Sequence, residues 1–259
     1  MPHFRFTAET AGRAARDALA RGEGEVCAAF RRSFYLRFGN DYACVGEATL
    51  GRGPLNALVS DFVEPPLGAR VTVSTQEATT WEAPAPRGAA RPNVDALRAC
   101  LDGHVPEEGL GCLILGVHNA LSVHAQPALE ALDRWLAGHA LGNEAAQLIG
   151  LGPGLTPSGD DYLGGVLLAL RCMGRGAQAD SLWRWLAPRL SGHTSAISAA
   201  HLGAAAAGEV HEALHEVLEN LSAWQVPDLH PSLARLDAVG HTSGWDALAG
   251  VVAVARSGH

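Results

Sequence analysis

The chain has 259 residues, 47% of them hydrophobic, and a formal net charge of −8. That length and apolar content suffice for a full core. The negative charge, with no basic run longer than the pair Arg31 and Arg32, argues against a nucleic-acid surface. All 19 basic residues are Arg, so a Schiff-base lysine, pyridoxal-phosphate anchoring, a Walker A loop and a kinase-type phosphate lysine are excluded by inventory.

The N-terminal residues mix charges with short apolar pairs, unlike a signal or transit peptide, and predict a mature start at Met1. No stretch approaches the ~20 apolar residues of a membrane helix. Neither membrane nor nucleic acid is expected as a partner. Cys27, Cys44, Cys100, Cys112 and Cys172 are odd in number and lack a C-x-x-C pair, which suits reduced thiols in a cytoplasm.

Residues 8–20 are good helix formers ending before Gly22 and predict a short helix. Residues 26–38, 42–45, 57–63 and 69–74 carry aromatic, apolar or alternating patterns and predict a small, mostly antiparallel sheet within 26–82. Residues 82–92, E-A-P-A-P-R-G-A-A-R-P, have a linker's composition. The expected fold is therefore α+β, with a β-rich N-terminal domain over 1–90 and a larger, mainly helical domain over 91–259. Helical spacing recurs at Val94, Leu97 and Leu101, at Leu129, Leu132 and Leu136, and at Val210, Leu214, Val217 and Leu221. Residues 109–117 fit a buried strand or a helix equally well.

The segment 148–170, L-I-G-L-G-P-G-L-T-P-S-G-D-D-Y-L-G-G-V-L-L-A-L, sets glycines, prolines, hydroxyls and two adjacent aspartates at the start of a helix. Gly152, Gly154 and Gly159 allow backbone to approach a ligand, and Thr156 and Ser158 add hydroxyls. Helix N-terminal amides favour phosphate, carboxylate or carbamoyl phosphate. Asp160 is read as facing the site, as an acid/base or Mg²⁺ contact, and Asp161 as a capping residue. No cofactor or metal-ligand set is required by these motifs, Mg²⁺ being the one ion the two carboxylates could hold. With Leu155 where the third glycine belongs, the loop is a poor dinucleotide fingerprint.

The pattern Ser158-Gly159-Asp160-Asp161 returns as Ser243-Gly244-Trp245-Asp246, so two S-G-x-D helix starts could face one site. A capping box is the bland reading of both. Residues 191–198, S-G-H-T-S-A-I-S, form a third small-polar helix start, where Thr194 and Ser195 could complete an anion site; His193 and His241 read as cap-region or surface residues. Arg32 and Asn56 could contribute from the sheet, against the simpler reading of a surface Arg and a turn Asn. A zincin motif, His211-Glu212-Ala213-Leu214-His215, would place both imidazoles on one helix face, but its downstream third ligand is missing and the apolar stripe already explains the segment.

The glycine-rich segment resembles the AllH-type family, long filed as a domain of unknown function. Looser matches lie at V-C-A-A-F-R-R-S, G-R-G-P-L-N-A-L, H-T-S-A-I-S and T-S-G-W-D-A-L-A-G. Where a His-Ser-type pair is expected near the start, this chain has Cys27 and Ala28. The resemblance implies a subunit of oxamate carbamoyltransferase in anaerobic allantoin and purine nitrogen use. Its implied reaction is that of oxalurate with phosphate to give oxamate and carbamoyl phosphate, in a complex with two other subunits. The rival reading is a non-catalytic subunit that senses a small anionic metabolite; a zinc metalloprotease is the third.

Overall fold

The structure, a computed structural model, describes residues 3–85 and 91–257. The chain divides into two compact units: Met1–Pro84 with Glu209–Glu212, and Ala85–Gly208 with Ala213–His259. Much of the proline-rich segment, residues 86–90, lies outside the described residues.

The first unit is built from β1 (His3–Gly12), α1 (Arg13–Leu19), β2 (Glu23–Phe30), β3 (Ser33–Phe38), β4 (Asp41–Glu47), β5 (Asn56–Val59), β6 (Arg70–Ser74) and β7 (Thr79–Trp81). Two expectations are corrected here. Residues 8–12 belong to a strand, and the helix is confined to α1. The small, mostly antiparallel open sheet is instead a closed, mixed barrel: the order β5-β4-β3-β2-β6-β1 is completed by a pairing of β5 with β1. β1 runs parallel to β6 through His3–Arg70 to Thr7–Ser74, shifts register between Ala8 and Thr10, and continues antiparallel to β5. The parallel β4–β5 and β1–β7 pairings are further departures from an antiparallel sheet.

The physical reason is that β1 finds partners on both sides, and two ladders of long-range hydrogen bonds override the helix propensity of Ala8 and Ala11. Small side chains also allow tight closure. Ala8, Ala11, Ala15 and Ala18 are almost fully buried with Phe34, Leu36, Val45 and Val71 in one core. Phe34 stacks near Phe6 and Phe62, at ring-centroid distances of 5.5 and 5.9 Å. Closure removes the exposed strand edges of an open sheet.

The second unit contains α2 (Val94–Leu101), α3 (Ala120–His124), α4 (Gln126–Leu136), α5 (Ser158–Cys172), α6 (Gly176–Leu186), α7 (Ala196–Ala206), most of α8 (Glu212–Leu221), α9 (His230–Asp237) and α10 (Ser243–Arg256). The apolar stripes become buried faces: Leu97 and Leu101 on α2, Leu129, Leu132 and Leu136 on α4, and Leu214, Val217 and Leu221 on α8. The ambiguous stretch before residue 117 is neither strand nor α-helix; Gly111–Ile114 is a short 3₁₀ turn. Gly111 packs on Trp245 of α10, where a Cβ would stand 2.9 Å from the tryptophan Cβ.

The centre of this unit is the packing of α5 on α10. A Cβ on Gly165 would lie 1.8 Å from the Ala247 carbonyl oxygen, and one on Gly250 would lie 2.0 Å from the Tyr162 carbonyl oxygen. Gly165 and Gly250 hold the same place in the two sequence copies, as do Tyr162 and Ala247. The contact is therefore reciprocal, the signature of a local two-fold relation between the helices. Backbone meets backbone because neither crossing point carries a side chain. Among the described residues, no helix is long and apolar enough to cross a membrane.

Candidate functional site

The glycine-rich loop enters α5 through residues that satisfy one another. Gly150 has φ of 72°, and a Cβ there would lie 2.0 Å from the His193 carbonyl oxygen, so conformation and space both demand glycine. Gly152 packs on Ser158, Gly154 is open to solvent with φ of 97°, and Gly159 abuts the Leu148 carbonyl. The Gly159 N–H donates to the Leu151 carbonyl at 2.9 Å, and those of Asp160 and Asp161 donate to Pro157 at 2.9 and 3.1 Å. These are amides that a helix N-terminus would otherwise offer to an anion. Here they close the loop instead.

Neither S-G-x-D start is a capping box. Pro157 and Thr242 stand at the two N-caps, and neither side chain accepts a hydrogen bond from a backbone N–H of its helix. The serines lie one residue inside, and their hydroxyls turn towards the opposite helix: Ser158 lies beside the Asp246 carboxyl and Ser243 beside that of Asp161. The two motifs thus come together in one cluster, crosswise.

The two adjacent aspartates have unlike surroundings, the reverse of the sequence reading. Asp160 is 1% exposed. One of its oxygens accepts the Gly150 N–H at 2.9 Å, and the other accepts the Ser198 hydroxyl at 2.6 Å and the Thr194 hydroxyl. It pins the loop to the start of α7. Ser195 completes the clasp, capping α7 through the Ser198 N–H at 2.9 Å and donating its hydroxyl to the Leu155 carbonyl at 2.7 Å. Thr194 and Ser195 are therefore occupied within the protein. Ser198 escaped the sequence reading, although it lies three residues after the cap and its hydroxyl falls on the same face.

Asp161 is only partly enclosed as a residue, but its Oδ2 is buried and has no hydrogen-bond partner among the described residues. Burial pushes its pKa well above the carboxylate range; the nearby charges of Asp246 and Asp160 add to the shift, and the hydroxyls of Ser243 and Thr156 offset part of it. Those two hydroxyls are 3.1 Å apart and hydrogen-bonded to each other. Thr156, Asp161 and Ser243 all retain partial exposure. The arrangement sets a carboxyl whose charged form is disfavoured beside two partly exposed hydroxyls.

Asp246, its counterpart on α10, is 0% exposed. Its Oδ1 accepts the Leu110 and Gly111 N–H groups at 2.5 and 3.2 Å, and its Oδ2 accepts the Thr242 hydroxyl at 2.8 Å. Burial raises its pKa, and these donors hold the shift down. Gly244 serves packing, since a Cβ would lie 2.4 Å from the Leu236 carbonyl oxygen.

Arg32 and Asn56 belong to the barrel unit. Arg32 pairs with Glu47 at 3.5 Å, and the Asn56 amide donates to the Gly51 carbonyl at 2.9 Å. Cys27, where the family pattern leads one to expect a His-Ser pair, is a half-buried thiol that donates to the Tyr35 carbonyl at 3.5 Å. Burial raises its pKa.

The H-E-x-x-H motif does not form a metal-binding face. His211 precedes α8, and its Nε2 donates to the Leu50 carbonyl at 2.9 Å, while burial lowers its pKa and keeps it neutral. The Glu212 carboxylate accepts the Arg52 backbone N–H at 2.7 Å and its Nε at 2.5 Å. Among the described residues, no group of three His, Cys, Asp or Glu side chains is arranged to hold a metal ion. His193 and His241 are exposed, the latter paired with Glu108 at 2.8 Å.

No solved structure matches the chain. Residues 148–255, which run from the glycine-rich loop to the end of α10, match the model of the AllH family, described as oxamate carbamoyltransferase subunit AllH.

Proposed function

We propose that the chain is a subunit of a carbamoyl-transfer enzyme acting on oxalurate and phosphate in allantoin and purine nitrogen catabolism, and that Asp161 is its proton donor. The observation that carries this reading is the buried, unpartnered Oδ2 of a carboxyl whose pKa is pushed well up. In the transfer, a phosphate oxygen attacks the ureido carbonyl carbon, the bond to the oxamate nitrogen breaks, and that nitrogen needs a proton. A carboxyl whose proton is held well above the ordinary carboxylate range is suited to that need. Thr156 and Ser243 would orient the ureido and carboxylate groups of the substrate through their hydroxyls.

Phosphate fits this chain's part of the site less well. The Gly159, Asp160 and Asp161 amides are used within the protein, and no arginine donates to Asp160, Asp161 or Asp246 among the described residues. Under this reading a partner subunit supplies the cationic side of the site. Asp160 is a positioning residue that holds the loop, and Mg²⁺ has no place on it, both its oxygens being engaged.

The test is Asp161→Asn in the complex reconstituted with its partner subunits, assayed for carbamoyl phosphate formed from oxalurate and phosphate. The substitution keeps the shape and removes the acid, so kcat should fall about 10²- to 10⁴-fold while the complex still assembles. Unchanged kcat would favour the non-catalytic, metabolite-sensing role and remove Asp161 from the chemistry.

A further inference from the structure

A cavity of about 530 Å³ lies on another face of the paired helices, bordered by α4, α5, α10 and the turn that follows Gly111–Ile114. Its volume is that of an ordinary small-molecule site. Leu129 and Val252 are among the apolar residues that line it, and its polar lining is unevenly charged. Glu130 and Asp133, one turn apart on α4, are on one side, and Arg256 of α10 also borders it.

Four side chains there are left incomplete by the protein. Among the described residues neither Glu130 nor Asp133 has a cationic partner; the Gln126 amide donates to Glu130 at 3.0 Å. Partial desolvation, and then the Glu130 charge, raise the Asp133 pKa above its ordinary value although both residues remain in contact with solvent. Arg256 donates one Nη to the Ile114 carbonyl at 3.0 Å and pairs with no carboxylate among the described residues. Tyr162 is 3% exposed, yet its hydroxyl makes no hydrogen bond among the described residues. Burial and the Asp133 charge keep that hydroxyl protonated. The ring is buried while its unpaired hydroxyl borders the cavity, where a ligand or water can complete it.

We propose that this cavity binds a small zwitterion, whose ammonium group is held by Glu130, Asp133 and the Tyr162 hydroxyl and whose carboxylate is held by Arg256. The opposite charges of the lining select a molecule carrying both signs, and the apolar residues accept the short carbon chain between them. This site is separate from the Asp161 cluster and does not depend on the carbamoyl-transfer reading.

The experiment is calorimetric titration of the full chain with 4-aminobutyrate, butylammonium and butyrate. The zwitterion should bind saturably at millimolar concentration or below, at least about tenfold more tightly than either single-charge analogue. Tyr162→Phe retains the ring, and Asp133→Asn retains the shape at a position open to solvent. Each should weaken 4-aminobutyrate at least about threefold without lowering the melting temperature by more than a few degrees. Absence of saturable binding by all three compounds, equal affinity for the zwitterion and an analogue, or affinity unchanged in both variants would overturn the assignment.

Discussion

The starts of α5 and α10 carry the same S-G-x-D pattern and pack on one another through the same pair of glycines, but their aspartates differ in what they touch. Asp246 is saturated by two backbone amides and a threonine hydroxyl. Asp161 has an oxygen with no partner. In the buried copy the carboxylate ties down a distant loop and serves stability. In the other copy one oxygen of the same group has no donor, and burial disfavours its charge. The difference teaches where chemistry can reside in a duplicated motif: in the copy whose desolvation is left uncompensated.

The shared packing can be broken most severely at the crossing glycines. Gly165→Ala or Gly250→Ala would drive a methyl group into a backbone carbonyl at 1.8 or 2.0 Å, with no flexible side chain to yield. Each should cost about 3 kcal/mol or more, read by urea unfolding, and the two losses should be similar if the helices are related as described. A loss confined to one of them would refute the reciprocal packing.

Next in size is the contrast between the aspartates. Asp246→Ala abandons the Leu110 and Gly111 amides and should cost about 2 to 4 kcal/mol, whereas Asp161→Ala strands no protein donor of that kind and should cost far less. The pH dependence sharpens the point. Because the folded state holds the Asp161 proton more tightly than the unfolded chain, its contribution is fully present below the unfolded carboxyl value and is lost as pH rises towards the folded one. Asp161→Asn should therefore raise neutral-pH stability relative to the parent and flatten the decline above about pH 4. A variant less stable than the parent at neutral pH would mean that the carboxylate is ionised and paired.

The smallest effect is expected at the hydroxyls. Thr156→Val and Ser243→Ala each remove one member of a hydrogen bond 3.1 Å long at a partly exposed position, and should change stability by about 1 kcal/mol or less. In the reconstituted enzyme each should raise the oxalurate KM more than it lowers kcat. Variants that leave KM and kcat both unchanged would detach the hydroxyls from the substrate.

Much of the site region was legible in the chain itself. The spacing of Gly150, Gly152 and Gly154 marks a loop that needs positive φ, and the return of the Ser-Gly-x-Asp pattern at 243–246 marks a second helix start of the same design. The roles of Asp160 and Asp161 were not legible. Adjacent residues on a helix point in different directions, and what each meets depends on Thr194 and Ser198 for one and on Ser243 for the other. The barrel was obscured for a related reason. Residues 8–12 have helical composition, and their strand exists because β5, β6 and β7 pair with it from more than forty residues away in sequence.

The sequence by itself determined the inventory: arginine as the only strong cation, glycine at the points of close approach, and two copies of one helix start. It also fixed the apolar stripes that bury α2, α4 and α8, since a helix face follows from spacing alone. Only the tertiary structure decided that the sheet closes into a barrel, that the zincin-like histidine binds a carbonyl, and that one of two equivalent aspartates keeps an oxygen without a donor. Each of these depends on groups brought together across long separations, where the competition for hydrogen bonds is settled by packing.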